Sequence, residues 1–136
     1  MPLDVKTFFN SLNKNTMHLV DDFYDRGAHF QDPVVNFTDR EQIKKYYAHL
    51  YADVDSIEFQ FFDEVKSGAQ EVITWTMILV MKKLNGRKPV KVNGVSHIKF
   101  GGGEGKVIYH RDYFDMGAFI YEHIPVLGVV IRSIKG

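Results

Sequence analysis

The chain reads as an α+β protein, with helices gathered on one face of an antiparallel sheet. Three observations carry that expectation. Apolar residues recur at helical spacing through the first third, the period switches to two after residue 54, and turn signals then separate strand-length runs. Asp4 is placed to cap a first helix with Val5, Phe8, Phe9 and Leu12 on one face. A second starts at Asn15 or Thr16, carries Met17, Leu19, Val20, Phe23 and Tyr24, and stops at Gly27. Phe30 to Phe37 is extended and interrupted by Pro33. Asp39-Arg40-Glu41-Gln42 resembles a capping box, and Ile43, Tyr46, Tyr47, Leu50 and Tyr51 give a third helix its apolar stripe. Ile57, Phe59 and Phe61 alternate with Glu58 and Gln60, as a half-buried strand does. Ser67-Gly68 turns the chain into a long strand from about Gln70 to Lys83, and Asn85-Gly86 signals a hairpin. Lys91 to Phe100 returns, Gly101–Gly105 turns again, and Lys106 to Phe114 is the last long strand. Asp115 then caps a helix through Tyr121, Pro125 breaks it, and Val126 to Lys135 has the spacing of another.

A length of 136 residues suits one domain over 1–136, with a core that needs no disulfide or metal staple. Lys+Arg and Asp+Glu tie at 17, which disfavours a general nucleic-acid partner. The absence of cysteine excludes zinc ribbons, thiol nucleophiles and disulfide frameworks. The apolar runs Trp75–Met81 and Ile124–Ile131 fall short of a ~20-residue transmembrane segment. Met1 to Lys6 lacks the apolar stretch of a secretory signal, so a cytoplasmic protein is expected. Gly101–Lys106 is no phosphate loop, because Val107 stands where Ser or Thr is needed. The histidines do not form a two-His helical zinc pattern, so neither a metal nor a cofactor is expected. Lys82, Lys83, Arg87, Lys88 and Lys91 read as a solvated hairpin tip. Eleven Phe, seven Tyr and one Trp exceed the needs of a small core and leave rings to line a pocket.

Chemistry-bearing residues cluster in two places. A period of two on the last strand puts His110, Asp112 and Phe114 on one face and Tyr109, Arg111 and Tyr113 on the other. Asp112 with His110 two residues away is either an acid/base pair or a structural pair that satisfies the strand's polar groups. Asp32 is held extended by Pro33. In an apolar cavity its pKa would rise and make it a base; on a rim it would accept backbone hydrogen bonds in a turn.

The segments Phe30-Gln31-Asp32-Pro33, Ile43–Tyr47, Gly105-Lys106-Val107-Ile108 and His110–Asp115, in this order, resemble the nuclear-transport-factor-2-like superfamily. The likeness is to its SnoaL-like and ketosteroid-isomerase-like branch, and the last segment resembles an uncharacterised bacterial subfamily. The resemblance implies a cone: a strongly curved antiparallel sheet wrapped around N-terminal helices, a cystatin-like roll enclosing an apolar cavity. It implies that Asp32 matches the isomerase base, and Asp112 the acid/base Asp of SnoaL-like polyketide cyclases. Tyr47 matches an inward helix tyrosine; with Phe30, Trp75, Met77, Leu79 and Phe114 it would wall a site for a small hydrophobic molecule. The isomerase's oxyanion donors fall on Phe8 and Ser96, so ketosteroid isomerisation is not expected. Arg111 lies opposite Asp112, so the Asp-Arg-Asp set of the epoxide-hydrolase branch is not recognisable. Cofactor-free cyclase-, isomerase- or dehydratase-like chemistry by Asp112, Asp32 and His110 is one reading, and a non-enzymatic binding or dimerisation module is the other. The family also implies a homodimer through the sheet's outer face, where Ile73, Ile78, Val80, Val95, Tyr109 and Tyr113 are expected. The stripe Ile124, Leu127, Val130, Ile131 and Ile134 would cap the mouth or close that dimer.

Overall fold

A mixed six-stranded sheet carries three helices on its inner face in the computed structural model of the chain, which describes residues 3–82 and 85–114. The helices are α1 (Val5–Ser11), α2 (His18–Phe23) and α3 (Arg40–Tyr51). The strands are β1 (Tyr24–Gln31), β2 (Asn36–Phe37), β3 (Val54–Ser67), β4 (Gln70–Met81), β5 (Val90–Phe100) and β6 (Val107–Phe114). Local chemistry explains the starts. Asp4 caps α1 by accepting the Thr7 N–H at 2.8 Å, and Asp39 caps α3 by accepting the Glu41 N–H at 3.1 Å. α2 is shorter than its apolar run predicts. It ends at Phe23, and Tyr24 opens a strand that passes through Gly27 instead of stopping there. β4 and β5 pair antiparallel as the hairpin that Asn85-Gly86 signals, and their connection includes a 3-10 turn over Asn85–Arg87 with Gly86 at φ 62°. The helices expected beyond Asp115 lie outside the described residues.

The strand order is β2-β1-β6-β5-β4-β3. β3 through β6 form the expected antiparallel meander, but β1 runs parallel to β6. The expected cone is therefore corrected in both its terms. The sheet is mixed, not antiparallel, and it is open: β2 and β3 end it without pairing to each other, and it is not strongly curled. Closure needs two edges that can share a ladder, and a two-residue β2 offers almost none.

Parity within the meander sets the inner face. Ile73, Trp75, Met77 and Leu79 alternate inward on β4, and Ile98 and His110 are fully buried on β5 and β6. Ile73, expected on the outer face, is thus part of the core. Phe8 of α1 stacks on Phe23 at 4.0 Å and packs edge-on to Tyr24, tying the first helix to the β1 side of the sheet.

Candidate functional site

Between α1, α3 and the inner sheet face lies a cavity of about 110 Å³. Its walls are apolar and ring-rich, and include Phe9, Phe30, Tyr47, Trp75 and Phe114 together with Met77 and Leu79. Asp32 and Asp112 both reach it, so these sequence-predicted residues converge. His110 and Ser96 do not line it; both are fully buried and stand behind Asp112.

Register brings Asp112 to its partners. It lies opposite Ser96 across β5 and β6, and His110 precedes it by two on the same face. Asp112 Oδ1 accepts from Ser96 Oγ at 2.5 Å and from His110 Nε2 at 2.6 Å. Against an ionised carboxylate, Nε2 must carry the hydrogen. Ser96 Oγ in turn accepts from the Trp75 indole N–H at 2.9 Å. On the far side of the imidazole, Nδ1 meets the Tyr24 hydroxyl at 2.6 Å, and that hydroxyl meets Tyr47's at 2.9 Å. One continuous network therefore runs from Trp75 through Ser96, Asp112, His110 and Tyr24 to Tyr47. Its oxygen Asp112 Oδ2 has no hydrogen-bond partner among the described residues.

Asp32 is bound differently. Its Oδ1 accepts the backbone N–H of Val34 and of Val35, each at 2.8 Å, and its Oδ2 accepts from the Tyr46 hydroxyl at 2.7 Å. Both sequence readings meet here: the residue makes the turn, and it does so inside the cavity wall. Burial pushes its carboxyl above the ordinary range, outweighing the pull of Tyr46, Val35 and Val34, and the Asp112 charge adds to the rise. Burial likewise raises the phenols of Tyr24, Tyr46, Tyr47 and Tyr51, so all four stay protonated.

Tyr24, Tyr46, Tyr51 and Gly94 escaped the sequence reading of the site. Tyr46 and Tyr51 carried a usable signal, hydroxyls on the otherwise apolar stripe of the third helix. Tyr51 lines the cavity and its hydroxyl has no partner among the described residues. Gly94 faces Trp75 across β4 and β5, and a Cβ there would overlap the indole ring at Cη2. Arg111 sits away from the site with its guanidinium over Tyr113 at 4.7 Å.

The profile of the SnoaL-like domain family matches residues 5–110, and the chain belongs to that family. No curated protein is significantly similar to it. Among solved structures, one is a Catenulispora acidiphila protein with a ketosteroid-isomerase-like fold, in complex with trimethylamine. It is 15% identical with a TM-score of 0.69, covering 86% of each chain. A nuclear-transport-factor-2-like protein of unknown function from Burkholderia pseudomallei is 12% identical, TM-score 0.68, covering 82% of this chain and 87% of that one. An LEH-like epoxide hydrolase from M. tuberculosis is 16% identical, TM-score 0.66, covering 95% of this chain and 85% of its own. At such identities the likeness establishes the fold, which hosts many chemistries. No helix among the described residues is long and apolar enough to cross a membrane.

Proposed function

We propose that the cavity binds a small hydrophobic molecule and that Asp112 serves there as general acid/base, moving a proton without a cofactor. The observation that carries this is the division of its carboxylate in the cavity wall: Oδ1 is held by Ser96 and His110, while Oδ2 has no hydrogen-bond partner among the described residues. A carboxylate fixed at one oxygen presents the other in one direction, and orientation is a large part of general-base catalysis. For a proton taken beside a carbonyl, a donor must meet the developing enolate oxygen. Ser96 spends its hydrogen on Asp112 and Phe8 has none to give, which leaves the Tyr51 hydroxyl as the donor. His110 and Tyr24 act as positioning residues behind the carboxylate. The engagement of both Asp32 oxygens favours a structural role for that residue, and it is also what favours the second reading, a binding module without turnover.

Cyclohexanone is a probe that matches the reaction and the space. Solvent exchange of its α-hydrogens, followed by NMR, is expected to accelerate with the wild-type chain and to lose that acceleration in Asp112→Asn. If cyclohexanone perturbs the fluorescence of Trp75 yet exchanges no faster, the acid/base role is wrong and the binding module stands. We also infer that residues 1–136 form one domain, which pairs with a second copy through the outer sheet face.

A further inference from the structure

We infer that the cavity's ligand is a hydrophobic amine, bound as its ammonium against Asp112 Oδ2. The inference rests on the ligand-binding reading above; an ammonium on Oδ2 occupies the oxygen that the acid/base reading would use, so it goes with binding and not with proton abstraction from carbon. Its basis is an imbalance of charge. The cavity lining includes two carboxylates, Asp32 and Asp112, and no Lys, Arg or His among the described residues. Arg40 and Lys44 pair with Asp21, and Lys6 and Lys66 with Glu64, so these four cations are engaged outside the lining. His110 touches Asp112 at Oδ1, the oxygen that Ser96 also holds, and is itself fully buried and not part of the lining.

The consequences can be ranked by ligand type. An anion would meet two acids in apolar surroundings, where like charges repel far more strongly than in water. A neutral acceptor, such as an ether or an ester, gives Oδ2 nothing, because a carboxylate accepts and does not donate. A neutral alcohol can donate once. An ammonium donates a charge-assisted bond and also places its charge among aromatic faces, which attract cations through their quadrupoles. Phe9, Phe30, Tyr47, Trp75 and Phe114 supply such rings around the cavity. After burial itself, the Asp112 charge is among the causes that push the Asp32 carboxyl and the Tyr47 and Tyr51 phenols upward, a negative field that no lining cation among the described residues offsets. A cavity of about 110 Å³ suits a ligand of about ten non-hydrogen atoms, given the ~10–15 Å³ that one water needs on the same measure.

The test uses three probes with the same eight-carbon skeleton on the full chain: phenethylamine, phenethyl alcohol and phenylacetate, a cation, a neutral donor and an anion. Trp75 is the chain's single tryptophan and it lines the cavity, so its fluorescence reports occupancy at this site. The amine is expected to bind at least about tenfold more tightly than the alcohol, with the anion weakest. Asp112→Asn is expected to erase the amine's advantage and leave the alcohol's affinity within about twofold. An alcohol that binds as tightly as the amine, in the wild-type chain, overturns the amine assignment and leaves the ligand-binding reading intact. If none of the three perturbs Trp75, the ligand-binding reading falls and the amine with it. The wild-type ranking decides the matter even if Asp112→Asn does not fold.

Discussion

Asp32 and Asp112 line one cavity under different obligations. Every Asp32 oxygen already accepts a hydrogen bond from the protein, whereas one Asp112 oxygen has no partner among the described residues. Because burial raises the Asp32 pKa, the folded chain holds that proton more tightly than the unfolded chain does. Its contribution to stability is complete below the unfolded value and is lost as pH rises through the raised folded one. Asp32→Asn, which cannot ionise, should therefore gain on the wild type in urea unfolding as pH rises above about 4, the unfolded value. A difference between the two proteins that stays constant with pH would show that the carboxyl is not desolvated. Tyr24 tests the other carboxylate's support. Its hydroxyl joins His110 Nδ1 to the Tyr47 hydroxyl in a fully buried place, so Tyr24→Phe strands two polar groups at a cost of about 1–3 kcal/mol. Tyr47→Phe strands only one side of that network and should cost less by the same measurement. The role of Tyr24 was illegible in the sequence for a definite reason: its apolar neighbours extend the pattern of α2 by one residue, and only the actual helix end at Phe23 turns it onto the sheet.

At the scale of elements, strict two-residue parity made β6 legible. His110, Asp112 and Phe114 share the face read from the sequence, and Tyr109, Arg111 and Tyr113 the other. The pairing of Ser96 with Asp112 was not legible, because register depends on the irregularity between Lys99 and Phe100 and on the Gly101–Gly105 turn. The Asp32–Tyr46 bond crosses from the β1–β2 turn to α3, a contact that no local period announces. Gly94 shows how one element serves another. Its missing side chain lets the Trp75 indole lie across β5 and reach Ser96. Gly94→Ala should push the indole aside, break the Trp75–Ser96 bond and cost about 1–3 kcal/mol, with a shift in tryptophan emission. Gly27→Ala is the control. Nothing lies within 4 Å of a Cβ at Gly27, so that substitution should be neutral or slightly stabilising and leave the emission unchanged.

At the scale of the whole molecule, the α+β class and the helices on one face were readable, while the shape of the sheet was not. Curvature and closure come from register shifts, such as those between Phe61 and Glu64 and between Val54 and Ser56, and from whether the end strands can pair. Periodicity is blind to both. An open sheet keeps two faces, and the outer one here is less polar than solvent alone would favour. Val95 stands between Thr74 and Tyr113 in the ladder, Tyr113 is 45% exposed, and Val72 is 37% exposed beside His97. Ile78 and Val80 continue the same face on β4, half-buried. Ile73 does not belong to it, so the patch is centred nearer β5 and β6 than the sequence placed it. A second copy laid across Val95 and Tyr113 would bury this patch, with the Tyr109 and Tyr113 rings giving the amphipathic contacts that interfaces favour. Sedimentation of the intact chain is expected to give about twice the 15.7 kDa chain mass. A double change, Val95→Glu with Tyr113→Glu, puts like charges opposite each other at the centre of a self-complementary face and should yield a monomer with an unshifted Trp75 emission. A wild-type chain that sediments as a monomer at micromolar concentration would mean that the outer face is covered by some other part of the chain or stands open to water.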